Sequence, residues 1–147
     1  MTPKVWVFFY GSYMNRGVLA EVGIQLEEVE VAAVAGWDIV IRPRANLVRT
    51  EGLHVHGILT RATHDELSKL YAHARDVLGE VYLPEAVLAE TRSGAWRPAL
   101  CYVATAMEPR APEVAYVDRI IDAACEHGLP ADYVARLEAF RPVPRGG

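Results

Sequence analysis

The first strand-like segment of the chain ends abruptly at a glycine. Lys4 to Tyr10 form an apolar, aromatic and β-branched run, and Gly11 follows directly. A run of this kind is typical of a strand buried within a sheet. Two further segments, Leu26–Val34 and Gly36–Pro43, also have strand patterns, and the second is stopped by its proline. We therefore expect the chain to build a sheet around its N-terminal strand.

The strand pattern continues through the middle of the chain. Leu53–Thr60 has alternating apolar and polar positions, which is typical of a half-buried strand. Tyr82–Glu90 and Trp96–Thr105 are two more apolar segments, separated by a Ser93-Gly94 turn. Their spacing predicts a β-hairpin.

Only a few segments have helical periodicity. Thr63 and Glu66 have the spacing of a capping box, so a helix is predicted to begin there. Glu113–Glu126 has the pattern of an amphipathic helix, which Gly128 would end in a left-handed conformation. Pro130 is predicted to open a short last helix.

This order of elements predicts an α+β fold. Strands that do not alternate strictly with helices favour a mixed, largely antiparallel, barrel-like sheet with a few flanking helices. We expect the Lys4–Tyr10 strand inside the sheet and the Glu113–Glu126 helix packed on its outside. Residues 1–140 are interpreted as one domain, and residues 141–147 as a flexible tail.

The composition excludes several classes of protein. The net charge of the 147 residues is −4, and no cluster of Lys and Arg is present, which argues against a nucleic-acid partner. No apolar run approaches the ~20 residues of a membrane span. The first residues do not have the layout of a signal peptide. Cys101 and Cys125 lie in apolar surroundings without metal-ligand spacing, so we predict a reduced, cytoplasmic protein with two core thiols.

The loop after the first strand is the first candidate site. Tyr10, Gly11, Ser12 and Tyr13 combine a glycine with a hydroxyl and two phenols. Consecutive backbone N–H groups in such a loop can bind a carboxylate or a developing oxyanion. We expect the loop to line the main pocket and to leave at least two N–H groups for a ligand. The alternative is a plain turn that ends the strand.

Three parts of the sequence resemble one known family. The opening loop and the C-terminal helix, which is followed by a glycine-leucine-proline break, carry most of the similarity, and a glycine-containing strand with a short helix after it adds to it. In order along the chain, these segments are Phe9–Asn15, Gly57–Leu59 with Asp65–Leu70, and Tyr116–Tyr133. They resemble the γ-glutamyl cyclotransferase-like (AIG2-like) family, and the similarity covers roughly residues 4 to 140.

The resemblance implies a reaction and a ligand. Members of the family cyclise a γ-glutamyl group to 5-oxoproline and release an amine or amino acid, with no metal or other cofactor. The partner would be a small γ-glutamyl or carboxylate ligand. By this resemblance, substrate binding falls to Tyr10, Gly11 and Ser12. Tyr13 stands where the family usually has an asparagine, and we predict that it also binds substrate, together with Tyr82.

The sequence departs from the family where the reaction needs a proton carrier. The family places a catalytic glutamate shortly after the short helix, and Ala74 stands at that position here. Glu85 is our first candidate to replace it, Glu80 the second and His73 the third, because carboxylates and imidazole are the usual general bases. The remaining alternative is that the site binds a ligand without turning it over.

Two other groups of polar residues have weaker interpretations. His54 and His56 have a spacing that some metal sites use, but no third ligand is evident. Arg42, Arg44 and Asn46 follow a strand, and they either line a pocket mouth that meets a carboxylate or belong to a solvated loop.

The sequence therefore supports two functions. The first is a cyclotransferase that acts on a small γ-glutamyl amine or amino acid. The second is a non-catalytic or differently reactive protein that keeps the Tyr-Gly-Ser loop and binds a small carboxylate. The leaving amine and the oligomeric state are left open.

Overall fold

The computed structural model describes residues 2–142. Five strands form one sheet in the order β1-β3-β2-β4-β5, and the sheet closes into a barrel. Neighbouring strands are antiparallel except β1 and β5, which run parallel and pair at Val7 and Leu100. The strands are β1 (Lys4–Phe9), β2 (Val29–Ile41), β3 (Ala45–Thr63), β4 (Leu83–Thr91) and β5 (Trp96–Val103). The predicted mixed, largely antiparallel fold is confirmed.

The second and third strands are longer than the sequence indicated. The two predicted strands before Pro43 are one continuous strand, β2, which pairs with β3 through a register shift between Ala35 and Trp37. Gly36 lies at this shift with a φ of 88°, a conformation that glycine adopts without steric cost, so the strand bulges and continues. The prediction of two separate strands was therefore wrong.

The helices lie where their sequence signals placed them. They are α1 (Arg16–Val22), α2 (His64–His73), α3 (Val114–His127) and α4 (Ala131–Glu138), with a 3-10 turn at Ser12–Met14 and a π-helical turn at Ala74–Leu78. The capping box is formed: the Glu66 amide donates to Thr63 Oγ1 at 3.1 Å, and the Thr63 amide donates to Glu66 Oε1 at 2.9 Å. Helix α3 ends at Gly128 with φ 75°, as predicted.

Helix α3 contacts the 3-10 turn and α4, and its Tyr116 Oη accepts a hydrogen bond from the Ala45 amide of β3. One expectation about the core needs correction. Cys101 is buried, but Cys125 is exposed, because it lies on the polar side of α3 while its neighbours Ala123 and Ala124 face inward. Only one of the two cysteines is therefore a core thiol.

The core fills the barrel and the space beneath the helices. The largest fully buried side chains come from β1, its following loop and the long β2–β3 hairpin, and they include Phe8, Tyr10, Met14, Ile39 and Ile58. Among the residues that the structure describes, no helix has the length and apolar character needed to cross a membrane. Residues 143–147 of the predicted tail lie outside the described part of the chain.

Candidate functional site

The loop after β1 lies against the tip of the β2–β3 hairpin. A β-carbon added to Gly11 would lie 2.8 Å from the β-carbon of Ala45, so only a glycine allows this approach. The 3-10 turn that follows is closed by the Met14 amide, which donates to the Gly11 carbonyl at 3.0 Å. Tyr10, Ser12 and Tyr13 are all buried. The loop is thus held in one place by close packing.

The phenol of Tyr102 occupies half of the loop's backbone donors. The amides of Tyr10 and Gly11 both donate to Tyr102 Oη, at 3.3 and 3.2 Å. Tyr10 Oη in turn donates to the Tyr102 carbonyl at 2.6 Å, and the two rings stack with centroids 4.5 Å apart. Within residues 2–142, neither the Ser12 amide nor the Tyr13 amide donates to a protein acceptor. Half of the loop's backbone donors are therefore taken up by Tyr102.

A small cavity lies between this loop, α2 and the seam of the barrel. Its volume is about 20 Å³, enough for about one water molecule. Ala74, Tyr13, Tyr82 and Tyr102 line it, and apolar side chains complete the wall. Ala74 is buried and lines the cavity, so the position expected to carry a glutamate in the family faces it. Among the residues that the structure describes, no Asp or Glu side chain lines this cavity.

Two more tyrosines fasten the hairpin tip to the site. Tyr82 Oη donates to the Ala45 carbonyl at 2.6 Å, and the Ala45 amide donates to Tyr116 Oη at 2.8 Å. Burial raises the pKa of Tyr10, Tyr13, Tyr82, Tyr102 and Tyr116 above that of a free phenol. The phenols therefore stay neutral at physiological pH and act as hydrogen-bond donors and acceptors.

His73 is the nominated catalytic residue that reaches the loop. Its Nδ1 atom lies 2.9 Å from Tyr13 Oη, and the two rings meet edge to face. Tyr13 Oη also lies 3.2 Å from the Leu70 carbonyl, to which it can donate. His73 is the last residue of α2 and directly precedes Ala74. An imidazole therefore lies between the Tyr-Gly-Ser loop and Ala74.

Glu80 lies near Tyr82 and Tyr116. It follows the π-helical turn, and its amide donates to the Ala74 carbonyl at 3.0 Å. The negative charge of its half-buried carboxylate contributes to the raised pKa of both Tyr82 and Tyr116. Glu80 thus places a carboxylate in the electrostatic environment of the site.

Glu85 has a different set of neighbours. It lies on β4 opposite Cys101 of β5, and its Oε1 atom is 3.4 Å from Nη2 of Arg49. Its side chain is 36% exposed. Its negative charge adds to the raised pKa of Cys101, which lines the cavity. Glu85 therefore lies near the cavity on the side of β5 and pairs with Arg49, whereas the other two nominees lie beside the tyrosine cluster.

Arg44 belongs to the site, although the sequence did not separate it from its neighbours. Its Nε atom donates to the Leu78 carbonyl at 3.2 Å, and its guanidinium carbon lies 4.7 Å above the centre of the Tyr116 ring. Asn46 instead has a structural role, because it exchanges two hydrogen bonds with the backbone of Ala104. Arg42 is exposed. Of the three residues, Arg44 is the one beside the tyrosines.

The sequence analysis also missed Tyr102 and Tyr116. Both lie far along the chain from the loop. Tyr102 has no local motif around it, and Tyr116 begins a segment that resembles the family but was not itself singled out as a site residue. The only signal was the presence of lone tyrosines in apolar segments, where a buried phenol needs a hydrogen-bond partner. His54 and His56 do not form a metal site with other residues: within residues 2–142 no group of three or more His, Cys, Asp or Glu side chains has a suitable arrangement.

Comparison with solved structures shows a shared fold. An uncharacterised human protein has a TM-score of 0.84 at 21% identity, over 98% of this chain and 92% of that one. A γ-glutamyl cyclotransferase has a TM-score of 0.77 at 21% identity, over 99% and 92%. A yeast γ-glutamyl cyclotransferase specific to glutathione has a TM-score of 0.59 at 11% identity, over 93% and 95%. At these identities the likeness concerns the fold alone.

Sequence comparison gives the family. No curated protein sequence matches this chain significantly. The model of the AIG2-like family matches residues 54–137, which is more than half of the chain and includes α2, Ala74 and α3. The protein therefore belongs to the AIG2-like family and has a γ-glutamyl cyclotransferase-like fold.

Proposed function

We propose that the protein cyclises a small γ-glutamyl amine or amino acid to 5-oxoproline and releases the amine. The observation that carries this proposal is the 2.9 Å contact between His73 Nδ1 and Tyr13 Oη. In this contact an imidazole, a common general base, lies beside the Tyr-Gly-Ser loop and next to Ala74. The family and the fold support the same reaction class.

The reaction needs a proton carrier and an oxyanion site. The α-ammonium group of the substrate must lose a proton before its nitrogen attacks the γ-carbonyl carbon. The new C–N bond closes the five-membered ring, and the ring nitrogen then loses a second proton. The bond to the leaving nitrogen breaks as that nitrogen takes up one proton, and the released amine takes up the other. A base that accepts protons from the ring nitrogen and delivers them to the leaving nitrogen completes the cycle. The carbonyl oxygen gains negative charge in between and needs donors.

The residues of the site match these needs in the following way. His73 takes the proton, either directly or through the phenol of Tyr13, to which it is hydrogen-bonded. The amides of Ser12 and Tyr13 are the loop donors left for the oxyanion, since Tyr102 holds the other two. A cavity of about 20 Å³ is smaller than a γ-glutamyl group, so substrate binding has to open the tyrosine cluster.

The test is direct quantification of 5-oxoproline. Wild-type protein is incubated with a panel of γ-glutamyl amines and γ-glutamyl dipeptides, and product is measured against time. We expect release from at least one substrate. His73→Gln is expected to lower kcat by ~10²-fold or more, as the loss of a general base does. Tyr13→Phe is expected to lower kcat as well, because it breaks the contact with His73.

The matched control is His64→Gln. His64 is exposed at the other end of the same helix, so its loss removes an imidazole without touching the site. Its kcat is expected to equal that of the wild type. Full activity in His73→Gln would show that another residue carries the proton, and Glu80→Gln would then be the next variant. Absence of product from every substrate would contradict the proposed reaction.

A second candidate function is binding without turnover. It is favoured by Ala74, which cannot transfer a proton, and by the Tyr102 phenol, which already fills two of the loop donors. In this case the protein would bind a γ-glutamyl compound and return it unchanged. Calorimetric binding in the absence of any 5-oxoproline release would establish this function in place of the first.

A further inference from the structure

To bind the carboxylate of a ligand, the site needs hydrogen-bond donors other than the backbone amides of Tyr10 and Gly11. The amides of Tyr10 and Gly11 are the ones that follow the buried strand, and both donate to Tyr102 Oη. A carboxylate could bind these amides only by displacing the Tyr102 phenol. Tyr102 is itself held in place, because its carbonyl accepts a hydrogen bond from Tyr10 Oη. The amides of Ser12 and Tyr13 are already assigned to the oxyanion. A charged donor elsewhere at the site is required.

Arg44 lies in the right place for this role. It directly precedes Ala45, which packs against Gly11. The Ala45 carbonyl accepts a hydrogen bond from Tyr82 Oη, and the Ala45 amide donates one to Tyr116 Oη. The guanidinium is half-buried, and it is oriented from two directions. Nε donates to the Leu78 carbonyl at 3.2 Å, and the guanidinium carbon lies 4.7 Å above the Tyr116 ring. The two terminal nitrogens are left to make a bidentate contact.

The charge of Arg44 is not neutralised by a neighbour. Within the described residues the ion pairs involve Lys4 and other arginines, and none includes Arg44. Its positive charge acts on the phenols of the site: it lowers the pKa of Tyr13, Tyr82 and Tyr116, in opposition to the increase that burial causes. A half-buried cation without an acidic partner favours an anionic ligand.

The distribution of charge around the site matches one end of a γ-glutamyl group. Arg44 and Glu80 act with opposite signs on the same two phenols, those of Tyr82 and Tyr116. The α-carbon of a γ-glutamyl compound carries a carboxylate and an ammonium group side by side. A cation and an anion beside the same cluster are complementary to that pair.

We propose that Arg44 recognises the α-carboxylate of the ligand and restricts the protein to compounds in which that carboxylate is free. The choice of ligand rests on the proposed function, but the recognition itself does not require turnover. The contact is bidentate, so lysine, which presents a single ammonium, replaces arginine only in part.

The experiment compares two rings that differ only in the carboxylate. L-5-Oxoproline carries it and 2-pyrrolidinone does not, and the affinity of each is measured by ligand-observed NMR titration. We expect the wild type to bind 5-oxoproline ~10-fold or more tightly than 2-pyrrolidinone, the size of a charge-assisted contact. Arg44→Gln is expected to reduce this preference to about twofold or less, and Arg44→Lys to an intermediate value.

The matched control is Arg42→Gln, which removes the same charge two residues away. Arg42 is exposed, so the preference for 5-oxoproline is expected to stay at the wild-type value. Far-UV circular dichroism and the thermal midpoint show whether each variant is folded. The proposal would be overturned if the wild type showed no preference for 5-oxoproline over 2-pyrrolidinone, or if Arg44→Gln kept that preference. It would also be overturned if Arg42→Gln lost the preference to the same extent as Arg44→Gln. Because no turnover is measured, failure of the cyclotransferase reaction appears separately, in the product assay.

Discussion

Gly57 of β3 and Phe9 of β1 approach each other so closely that residue 57 has no room for a side chain. A β-carbon on Gly57 would overlap the Phe9 carbonyl oxygen and would lie 2.9 Å from Cζ of Phe8. The first of these neighbours is backbone in a central strand, so it cannot move aside without breaking the β1–β3 pairing. The strand that leads into the Tyr-Gly-Ser loop depends on this contact.

Gly57→Ala is therefore expected to destabilise the protein by about 3 kcal/mol or more, at the upper end of overpacking in a core. The free energy of unfolding is measured by chemical denaturation. Gly17→Ala is the control, because its added β-carbon would contact only the side-chain oxygen of Asn15, at 3.1 Å. That variant is expected to stay within about 1 kcal/mol of the wild type. Equal stability of both variants would show that β1 and β3 can separate without cost.

Local signals in the sequence were sufficient for several elements. The capping box at Thr63, the hairpin turn at Ser93-Gly94 and the glycine stop at Gly128 each depend on residues within one turn of chain, and each is present. The strand ending at Gly11 was predictable for the same reason. The register shift beside Gly36 was not, because a glycine between two strand patterns can equally well mark a turn or a bulge.

The composition of the site depends on contacts that no local pattern encodes. Tyr102 reaches the loop amides only because the barrel closes between β1 and β5, whose pairing brings Val7 beside Leu100. Arg44 enters the site because the hairpin tip packs against Gly11. The sequence analysis singled out the loop, Tyr82 and Ala74. The residues that bind or pack against the loop come from distant strands, so no local pattern could predict them.

The two cysteines are expected to differ in reactivity. Cys101 is buried and lines the cavity, and burial raises the pKa of its thiol to about 12, so it has almost no thiolate at pH 8. Cys125 is exposed on α3. Iodoacetamide at pH 8 is expected to modify one thiol per native molecule and two after unfolding, as counted by mass spectrometry. Peptide mapping should place the native modification on Cys125, and rapid modification of Cys101 would contradict the enclosed cavity.

His56 is expected to make stability depend on pH. Burial against Tyr133, with ring centroids 4.8 Å apart, lowers the pKa of His56 below its ordinary value. Asp132 opposes this shift, while His54 and Arg92 add to it. The unfolded chain then binds the proton more tightly than the folded one. Stability is fully present above pH ~6.5 and is lost as the pH falls from there towards the folded-state pKa.

The measurement compares chemical denaturation at pH 7.5 and pH 5.5 in the wild type and in His56→Gln. Other groups titrate over this range in both proteins, so the difference between the two declines isolates His56. The wild type is expected to lose more stability than the variant on acidification. The same decline in both proteins would show that the His56 imidazole takes up its proton as easily in the folded state as in the unfolded chain.

Ala74→Glu is expected to place a carboxylate where the cavity cannot solvate it. The cavity of about 20 Å³ is lined by phenols and apolar side chains, so the pKa of the new glutamate should rise in the folded state. The unfolded chain, with a glutamate pKa of ~4.3, then releases the proton first. The variant is expected to lose stability progressively as the pH rises above that value.

Ala74→Gln is the control: its side chain has the same shape but does not titrate, so the stability lost through overpacking should be independent of pH. Unfolding free energies of both variants at pH 4.5 and pH 7.5 give the comparison, and the gap between them should widen at the higher pH. Parallel values would mean that the carboxylate reaches His73 or Arg44 as a partner, and that position 74 can still hold the charge that the family uses.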